Sequence, residues 1–400
     1  MSKKKILSVA LISVLTVFVF CLCFYFSGNA LNQLPSITQM NYNLKSDEKP
    51  LTVKDMNNLS DRISFNQVSF CAELDETNVK EETVTPVLTN EFYFEIYGQK
   101  LNGDSITKEN IENEDKVAVI SSSLALKLFF NTDAVGKTIT LNDEVYTICG
   151  VIQESENIIN SLSSDGKQRV YIPYTCYSGY ENCDVYTISY DNSASSAPLI
   201  EQMKLSQYHS TNFSEKAKVI KNFEHIIYLI LFIALCFISM KLWYRICKKL
   251  IKDIKENLNE IYFLNSFKSI PHKYTLLIIT VLGIPTVLLV IFLLSDFNIF
   301  IISKYIPYDN ILDVPYYISA VVKNSNDINS LALMGNTFLV NLYSSSFSVL
   351  VWLLVIFALF SVVLFSIVLQ TTLIISKKPG NTGISRDIRT EFTTDLLLSD

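Results

Sequence analysis

Four long apolar runs interrupt an otherwise mixed pattern. Ile6–Phe26 reads ILSVALISVLTVFVFCLCFYF. Ile226–Met240 reads IIYLILFIALCFISM and continues through Leu242–Tyr244. Thr275–Leu294 reads TLLIITVLGIPTVLLVIFLL, and Phe347–Ile375 reads FSVLVWLLVIFALFSVVLFSIVLQTTLII. Each approaches or exceeds the roughly 20 apolar residues needed to cross a bilayer core of about 30 Å. The pattern predicts four membrane-spanning helices, with Phe223 and Trp243 as interfacial ends of the second. The first run also admits a cleaved signal peptide, with Lys3–Lys5 as its basic start and Gly28-Asn29-Ala30 as a cleavage region. Its uninterrupted length exceeds the roughly 7–15 residues of a signal core, which favours an uncleaved span.

Between the first two runs the period changes. Alternating, β-branched and aromatic stretches predict strands at Ile63–Phe70, Glu91–Tyr97, Lys116–Ile120, Lys137–Leu141, Val145–Val151, Val170–Pro173 and Asp184–Tyr190. Leu141-Asn142-Asp143-Glu144 is a turn, so Lys137–Val151 reads as a hairpin. Helices are expected over Ser122–Phe130, whose serines suit capping, and over Ala197–Tyr208, with Pro198 tolerated in its first turn. Lys216–Glu224 is expected to run as helix straight into the second span. The predicted fold class is an integral membrane protein of four transmembrane α-helices, with a large α+β extracytoplasmic domain inserted between helices 1 and 2.

Composition fits this division. The 400 residues are 49% hydrophobic and only 18% charged, against about a quarter charged in ordinary soluble domains. Net charge is −6, which argues against a nucleic-acid partner, since that role needs a basic surface. The distribution says more than the sum. Lys3, Lys4 and Lys5 precede the first span. Lys241–Lys273 carries eight basic residues against Asp253, Glu256 and Glu260, whereas Ser27–Asn222 carries 16 basic and 27 acidic. The positive-inside rule then puts both termini and the basic loop in the cytoplasm. The expected layout is 1–26 N-terminus and first span, 27–222 external domain, 223–244 second span, 245–273 cytoplasmic loop, 274–294 third span, 295–346 second external loop, 347–375 fourth span and 376–400 cytoplasmic tail.

Chemistry-bearing motifs are scarce. Val135-Gly136-Lys137-Thr138 invites a P-loop reading, but Asn131 stands where the first glycine belongs, and the segment leads into a strand rather than a helix. There is no G-x-S-x-G or H-E-x-x-H, and His209, His225 and His272 are isolated from one another. No catalytic residue, cofactor or metal is expected on this chain. Among eight cysteines, Cys71, Cys149, Cys176 and Cys183 are external and allow three complete pairings. Cys176 and Cys183 are close enough in sequence to be a candidate local disulfide. The spans carry no Asp, Glu, Lys, Arg or His in their interiors, which weighs against an ion-coupled transporter. Gly283-Ile284-Pro285 is expected to kink the third span, and Gln370 is the most polar side chain of the fourth. In the basic loop, Leu250, Ile251, Ile254, Leu258, Ile261, Leu264 and Phe267 fall near helical spacing, with lysines opposite. This fits a helix on anionic lipid or one docked in a partner's groove.

Ile96–Val151 resembles the extracytoplasmic core domain of MacB-type ABC transporter permeases. Gly98-Gln99 with Leu101 is similar to a G-R-x-(L/F) entry, with glutamine for the usual arginine. Val117–Ser121 followed by Leu124-Ala125 and Leu128-Phe129 matches a strand–helix signature. Val135-Gly136-Lys137 with Ile139 and Tyr146-Thr147-Ile148-Cys149-Gly150-Val151 match the two that follow. Glu260–Ser269 resembles the family's cytoplasmic coupling segment at Glu260, Ile261, Ser266, Phe267 and Ser269, with Tyr262 and Lys268 in place of its two glycines. The resemblance, to the MacB/FtsX-like permeases with this chain a divergent member, implies a non-enzymatic permease subunit in the plasma membrane of a bacterium. Such a subunit would work with a separate ABC ATPase, as a homodimer or a heterodimer with a related permease, in contact with membrane lipid. It implies a coupling helix carrying Ile254, Leu258, Glu260, Ile261, Leu264, Phe267 and Lys268. Two roles stay open: export or extraction of a lipoprotein, peptide or amphiphile, and FtsX-like control of an external partner such as a cell-wall hydrolase.

Overall fold

A computed structural model describes residues 3–43, 46–62, 68–154, 157–193, 205–260, 271–294, 300–302, 306–307, 310, 313–331 and 338–376. The chain divides into two compact units, Cys23–Trp352 and Met1–Leu22 with Leu353–Asp400. In the smaller unit the two helical segments meet through Phe20 and Phe357, with ring centroids 6.4 Å apart.

The larger unit is built on one sheet. Helix α1 (Lys3–Gln33) leads into β1 (Ile37–Tyr42), α2 (Val53–Arg62), β2 (Val68–Glu73), β3 (Thr77–Val79) and β4 (Glu82–Thr89). Then come α3 (Tyr93–Ile96), β5 (Leu101–Gly103), α4 (Lys108–Glu112), β6 (Val117–Ser121) and α5 (Ser122–Phe129). β7 (Thr138–Leu141), β8 (Glu144–Ile152), α6 (Ile158–Ser163), β9 (Gln168–Pro173), β10 (Thr187–Asp191) and β11 (Tyr208–Asn212) complete the domain. α7 (Phe213–Glu260), α8 (Pro271–Leu294), α9 (Val314–Leu331) and α10 (Phe338–Ser376) follow. Among the described residues, the eleven strands form one sheet in the order β11-β1-β10-β2-β4-β9-β6-β8-β5, with β3 beside β4 and β7 beside β8. Pairing is antiparallel except for β4 with β9 and β6 with β8. Among the described residues four helices, α1, α7, α8 and α10, are long and apolar enough to cross a membrane, so the sheet domain lies between the first and second of them.

Local chemistry explains several elements. Asn142 and Asp143 both take positive φ, 47° and 67°, between Leu141 and its partner Glu144. That is the two-residue turn whose twist matches antiparallel strands, and Asn and Asp tolerate it well. Ser121 caps α5, its hydroxyl accepting from the Leu124 amide at 3.2 Å. Thr52 and Asp55 cap α2 reciprocally. On the β6–β8 pair, Ala118 faces Ile148 but Val119 faces Gly150, so Cys149 is a bulged residue. Its thiol donates to the Ala118 carbonyl at 3.4 Å.

The sheet has two different faces. Met40, Tyr42, Phe70, Ala72, Leu88, Ile188 and Tyr190 enter the apolar core with Leu124, Ala125 and Leu128 of α5. The alternate positions are polar and equally buried: Gln39, Asn41, Ser69, Thr89, Thr187 and Ser189. Here α3 supplies the cover. Tyr97 Oη accepts from Gln39 Nε2 at 2.9 Å and pairs with Ser189 Oγ at 2.7 Å, and Tyr93 Oη donates to Tyr171 Oη at 3.3 Å. Burial holds both the Tyr93 and the Tyr97 phenol well above their ordinary range, so they act as neutral hydrogen-bonding groups.

Four expectations differ from the structure. Glu91–Tyr97 is not a strand: Tyr93–Ile96 is a single helical turn, with Tyr93, Phe94 and Ile96 all buried. Consecutive buried aromatics cannot both face one side of a strand, whereas a turn lets both reach Tyr171. Tyr208 does not end a helix but starts β11, paired to Tyr42; most of the helix expected before it lies outside the described residues. The first strand expected begins only at Val68, with 63–67 outside the described residues. Cys176 and Cys183 are unbridged. The Cys176 thiol donates to the Asp115 carbonyl at 3.0 Å, and burial raises it to about 11.

One ion cluster ties β9 to the end of β2, across β4. Arg169 Nε donates to Glu73 at 2.9 Å, and its two terminal nitrogens donate to Asp165 at 3.1 and 2.5 Å. Burial alone would raise the Asp165 carboxyl, but the hydrogen bonds and charge of Arg169 outweigh it and hold it below the usual range. A depressed folded-state pKa means that this stabilisation is complete above the unfolded value, near pH 4, and is lost as pH falls through the folded value. Arg169→Met is expected to lower stability by about 2 kcal/mol at pH 7, less than a fully buried pair because the carboxylates are partly solvated. The deficit should shrink below about pH 4. Thermal melts across pH check this; equal stability at pH 7 contradicts it.

Candidate functional site

The two chain connections of the external domain leave it side by side. β1 follows α1 and β11 precedes α7, and these strands pair from Thr38↔Asn212 to Tyr42↔Tyr208. The start of β1 thus lies next to the end of β11, and the two helices depart from one corner of the sheet. A polar lattice holds that corner. Ser36 Oγ meets Ser214 Oγ at 2.8 Å, and Asn192 Nδ2 donates to Ser214 Oγ at 2.7 Å and to Asn212 Oδ1 at 3.2 Å.

Below the corner three helices are joined. Ser27, fully buried, donates to Glu224 Oε1 at 2.8 Å. Phe24 packs on Tyr228, centroids 5.4 Å apart, and Phe223 on Phe347 at 5.5 Å. Lys216 Nζ lies 4.7 Å above the Tyr343 ring. Phe213, Ile220 and Ile227 of α7 and Leu342 and Leu350 of α10 are fully or almost fully buried. α10 also grips the sheet domain: Asn341 Nδ2 donates to the Ser163 carbonyl at 3.3 Å and Ser345 Oγ to that of Leu162 at 3.5 Å. Hydrogen bonds and ring contacts spaced along three helices resist sliding and rotation together, which makes this junction a stiff stalk.

From the stalk α7 runs without a break for 48 residues, about 72 Å of helix. It passes from the edge strand through the second apolar run and into the basic segment. At the far end Cys247, Leu250 and Ile254 are buried, and Lys273 Nζ of α8 pairs with Asp253 at 3.3 Å. Ile254 is therefore taken up by packing within the chain, while Ile251 on the adjoining face is exposed. Leu258 and Glu260 lie on the last turn of α7. Ile261, Leu264, Phe267 and Lys268 lie outside the described residues. Among the described residues no group of three His, Cys, Asp or Glu side chains is arranged to hold a metal ion.

Sequence reasoning missed the stalk. Ser27, Asn192, Ser214 and Glu224 are isolated polar residues in the sequence, and only the pairing of β1 with β11 brings them together. The one available signal was an acidic residue, Glu224, directly before an apolar run.

An external sheet domain between the first two of four candidate spans defines a multi-pass membrane protein with a stalked external domain. Residues 7–204 match the family model of the MacB-like periplasmic core domain. Across 86 residues the chain is 34% identical to the macrolide export ATP-binding/permease protein MacB of Neisseria gonorrhoeae, and to that of Neisseria meningitidis. That stretch is 21% of this chain and 13% of those proteins, so the match spans about an eighth of its curated relatives. The periplasmic region of MacB from Actinobacillus actinomycetemcomitans aligns at TM-score 0.35 and 18% identity, over 45% of this chain and 89% of that one. The extracellular domain of the noncanonic ABC-type transporter YknZ from Gram-positive bacteria aligns at 0.33 and 20%, over 44% and 100%. Residues 7–204 are thus similar to the periplasmic core domain of MacB-type ABC transporter permeases.

Proposed function

We propose that this chain is a permease subunit that transmits motion from a separate cytoplasmic ATPase to its external domain, acting on a lipoprotein, peptide or amphiphile. The observation that carries this reading is the unbroken α7. One rigid element links the clamped corner of the sheet to the basic segment, so displacement at one end reaches the other with little loss. The basic N-terminus and the basic Lys241–Lys273 loop support a cytoplasmic side for both, and four spans then bring the C-terminus back to that side. The spans add no polar lining for a hydrophilic conduit, which favours work on a substrate outside the bilayer. ATP is bound and hydrolysed on the partner, and two permease chains, identical or related, face each other.

Co-purification tests this. The full chain, tagged and extracted from its native membrane, is expected to bring down a P-loop ATPase in stoichiometric amount. Recovery of the chain without any ATPase, under conditions that keep the sheet domain folded, would overturn it. Recovery of a cell-wall hydrolase along with the ATPase would shift the role from export to control of that enzyme.

A further inference from the structure

α6 is a six-residue helix with a divided surface. Asn157 caps it, its side chain accepting from the Asn160 amide at 2.8 Å. Ile159 and Ser163 are buried, whereas Ile158 and Leu162, four residues apart and on one face, are 63% and 58% exposed. Two large aliphatic side chains side by side on a short helix call for an occupant, and the position of α6 names it.

Rings mark the outer membrane boundary. Phe223 meets Phe347, and about 7 Å further along the same helix Tyr228 meets Phe24, while Tyr25 and Trp352 are exposed. Aromatic rings gather at the headgroup level of a bilayer. α6 is fastened to α10 just above this belt through Ser345 and Asn341. Ser345 is two residues, about 3 Å of helix, from Phe347 at the outer edge of the belt, and the headgroup layer is some 5–8 Å deep on each side. The Ile158–Leu162 pair therefore sits at the depth where interfacial helices bury their apolar face.

We propose that α6 is a lipid-contacting foot: Ile158 and Leu162 seat in the headgroup–acyl boundary of the outer leaflet and steady the sheet domain against the membrane. This requires only that α10 crosses the bilayer, not that an ATPase is coupled. A second chain covering the same face is the alternative that the test must separate.

The test is tryptophan depth measurement on the full chain in phosphatidylcholine vesicles. Trp243→Phe and Trp352→Phe give a silent background, and Leu162→Trp and Ile158→Trp are placed in it singly. Leu126→Trp, at an exposed position of α5, is the aqueous control, and the chain retaining Trp352 alone reports correct insertion. With lipid brominated near the top of the acyl chain, both α6 probes are expected to be quenched to within about twofold of Trp352, with little effect on the Leu126→Trp probe. Quenching no greater than that of the Leu126→Trp probe at both positions would overturn the proposal. So would shielding of both from brominated lipid and aqueous acrylamide alike, which would mean a protein-covered face. Failure of co-purification with an ATPase would leave this result unaffected.

Discussion

Gly150→Ala is expected to lower the stability of the external domain by about 3 kcal/mol or more. A Cβ there would collide with the Asp104 carbonyl oxygen, while Val119 Cγ2 at 3.6 Å stays in ordinary contact. The Asp104 carbonyl has no room to give. The Asp104 amide is bonded back to the Cys149 carbonyl at 2.8 Å, and Val119 is fully buried in β6. The bulge at Cys149 brings β5 this close, and Gly103, opposite Gly150 at φ 96°, is glycine for the same reason. In a domain of this size the loss corresponds to a fall in melting temperature of about 6–12 °C. A shift under about 2 °C would mean that β5 is loosely attached.

The second large effect is on the proposed ATPase-docking segment. Replacing Glu260 and Phe267 together by alanine is expected to weaken recovery of the ATPase about 30-fold, as loss of a roughly 2 kcal/mol interface anchor would. The external domain's melting should not move, because both residues lie far along the chain from it. Ile254→Ala should act differently. Ile254 is buried within the chain, so its truncation is expected to lower stability by about 2 kcal/mol and to affect docking only through that. Equal ATPase recovery by the Glu260/Phe267 double variant and the parent would show that the degenerate segment, with Tyr262 and Lys268 for glycines, does not dock.

Much of the fold is legible in the sequence where one residue type decides. The spans follow from uncharged length, and the β7–β8 turn from Asn142-Asp143. Helix α5 follows from Ser121 and the Leu124, Ala125 and Leu128 spacing. What escapes notice is decided by distant partners. β1 reads as polar because Gln39 and Asn41 are buried against other polar groups and the α3 tyrosines. β4 contains Pro86, which ordinarily excludes a central strand. It is accommodated where one flank of β4 passes from β3 to β2, and the Pro86 carbonyl accepts from Leu74 at 2.9 Å. The proposed coupling segment is legible as amphipathic spacing and as a partial resemblance over Glu260–Ser269. That spacing cannot tell Ile254, buried within the chain, from Ile251 beside it, which stays exposed. Apart from Glu224 the stalk left no local signal, since a hydrogen bond such as Ser27 to Glu224 joins residues 197 apart.

The central claim is transmission along α7. It is tested most directly by a spin label at Leu126→Cys on the external domain, in proteoliposomes holding the chain with its ATPase. The native cysteines are replaced, and label-to-label distances are compared without nucleotide and with ATP trapped by vanadate. The account predicts a shift of several Å in the wild-type stalk, abolished when a pair of glycines breaks α7 between Phe223 and Tyr228. Distances that stay the same while ATP is being hydrolysed would contradict it.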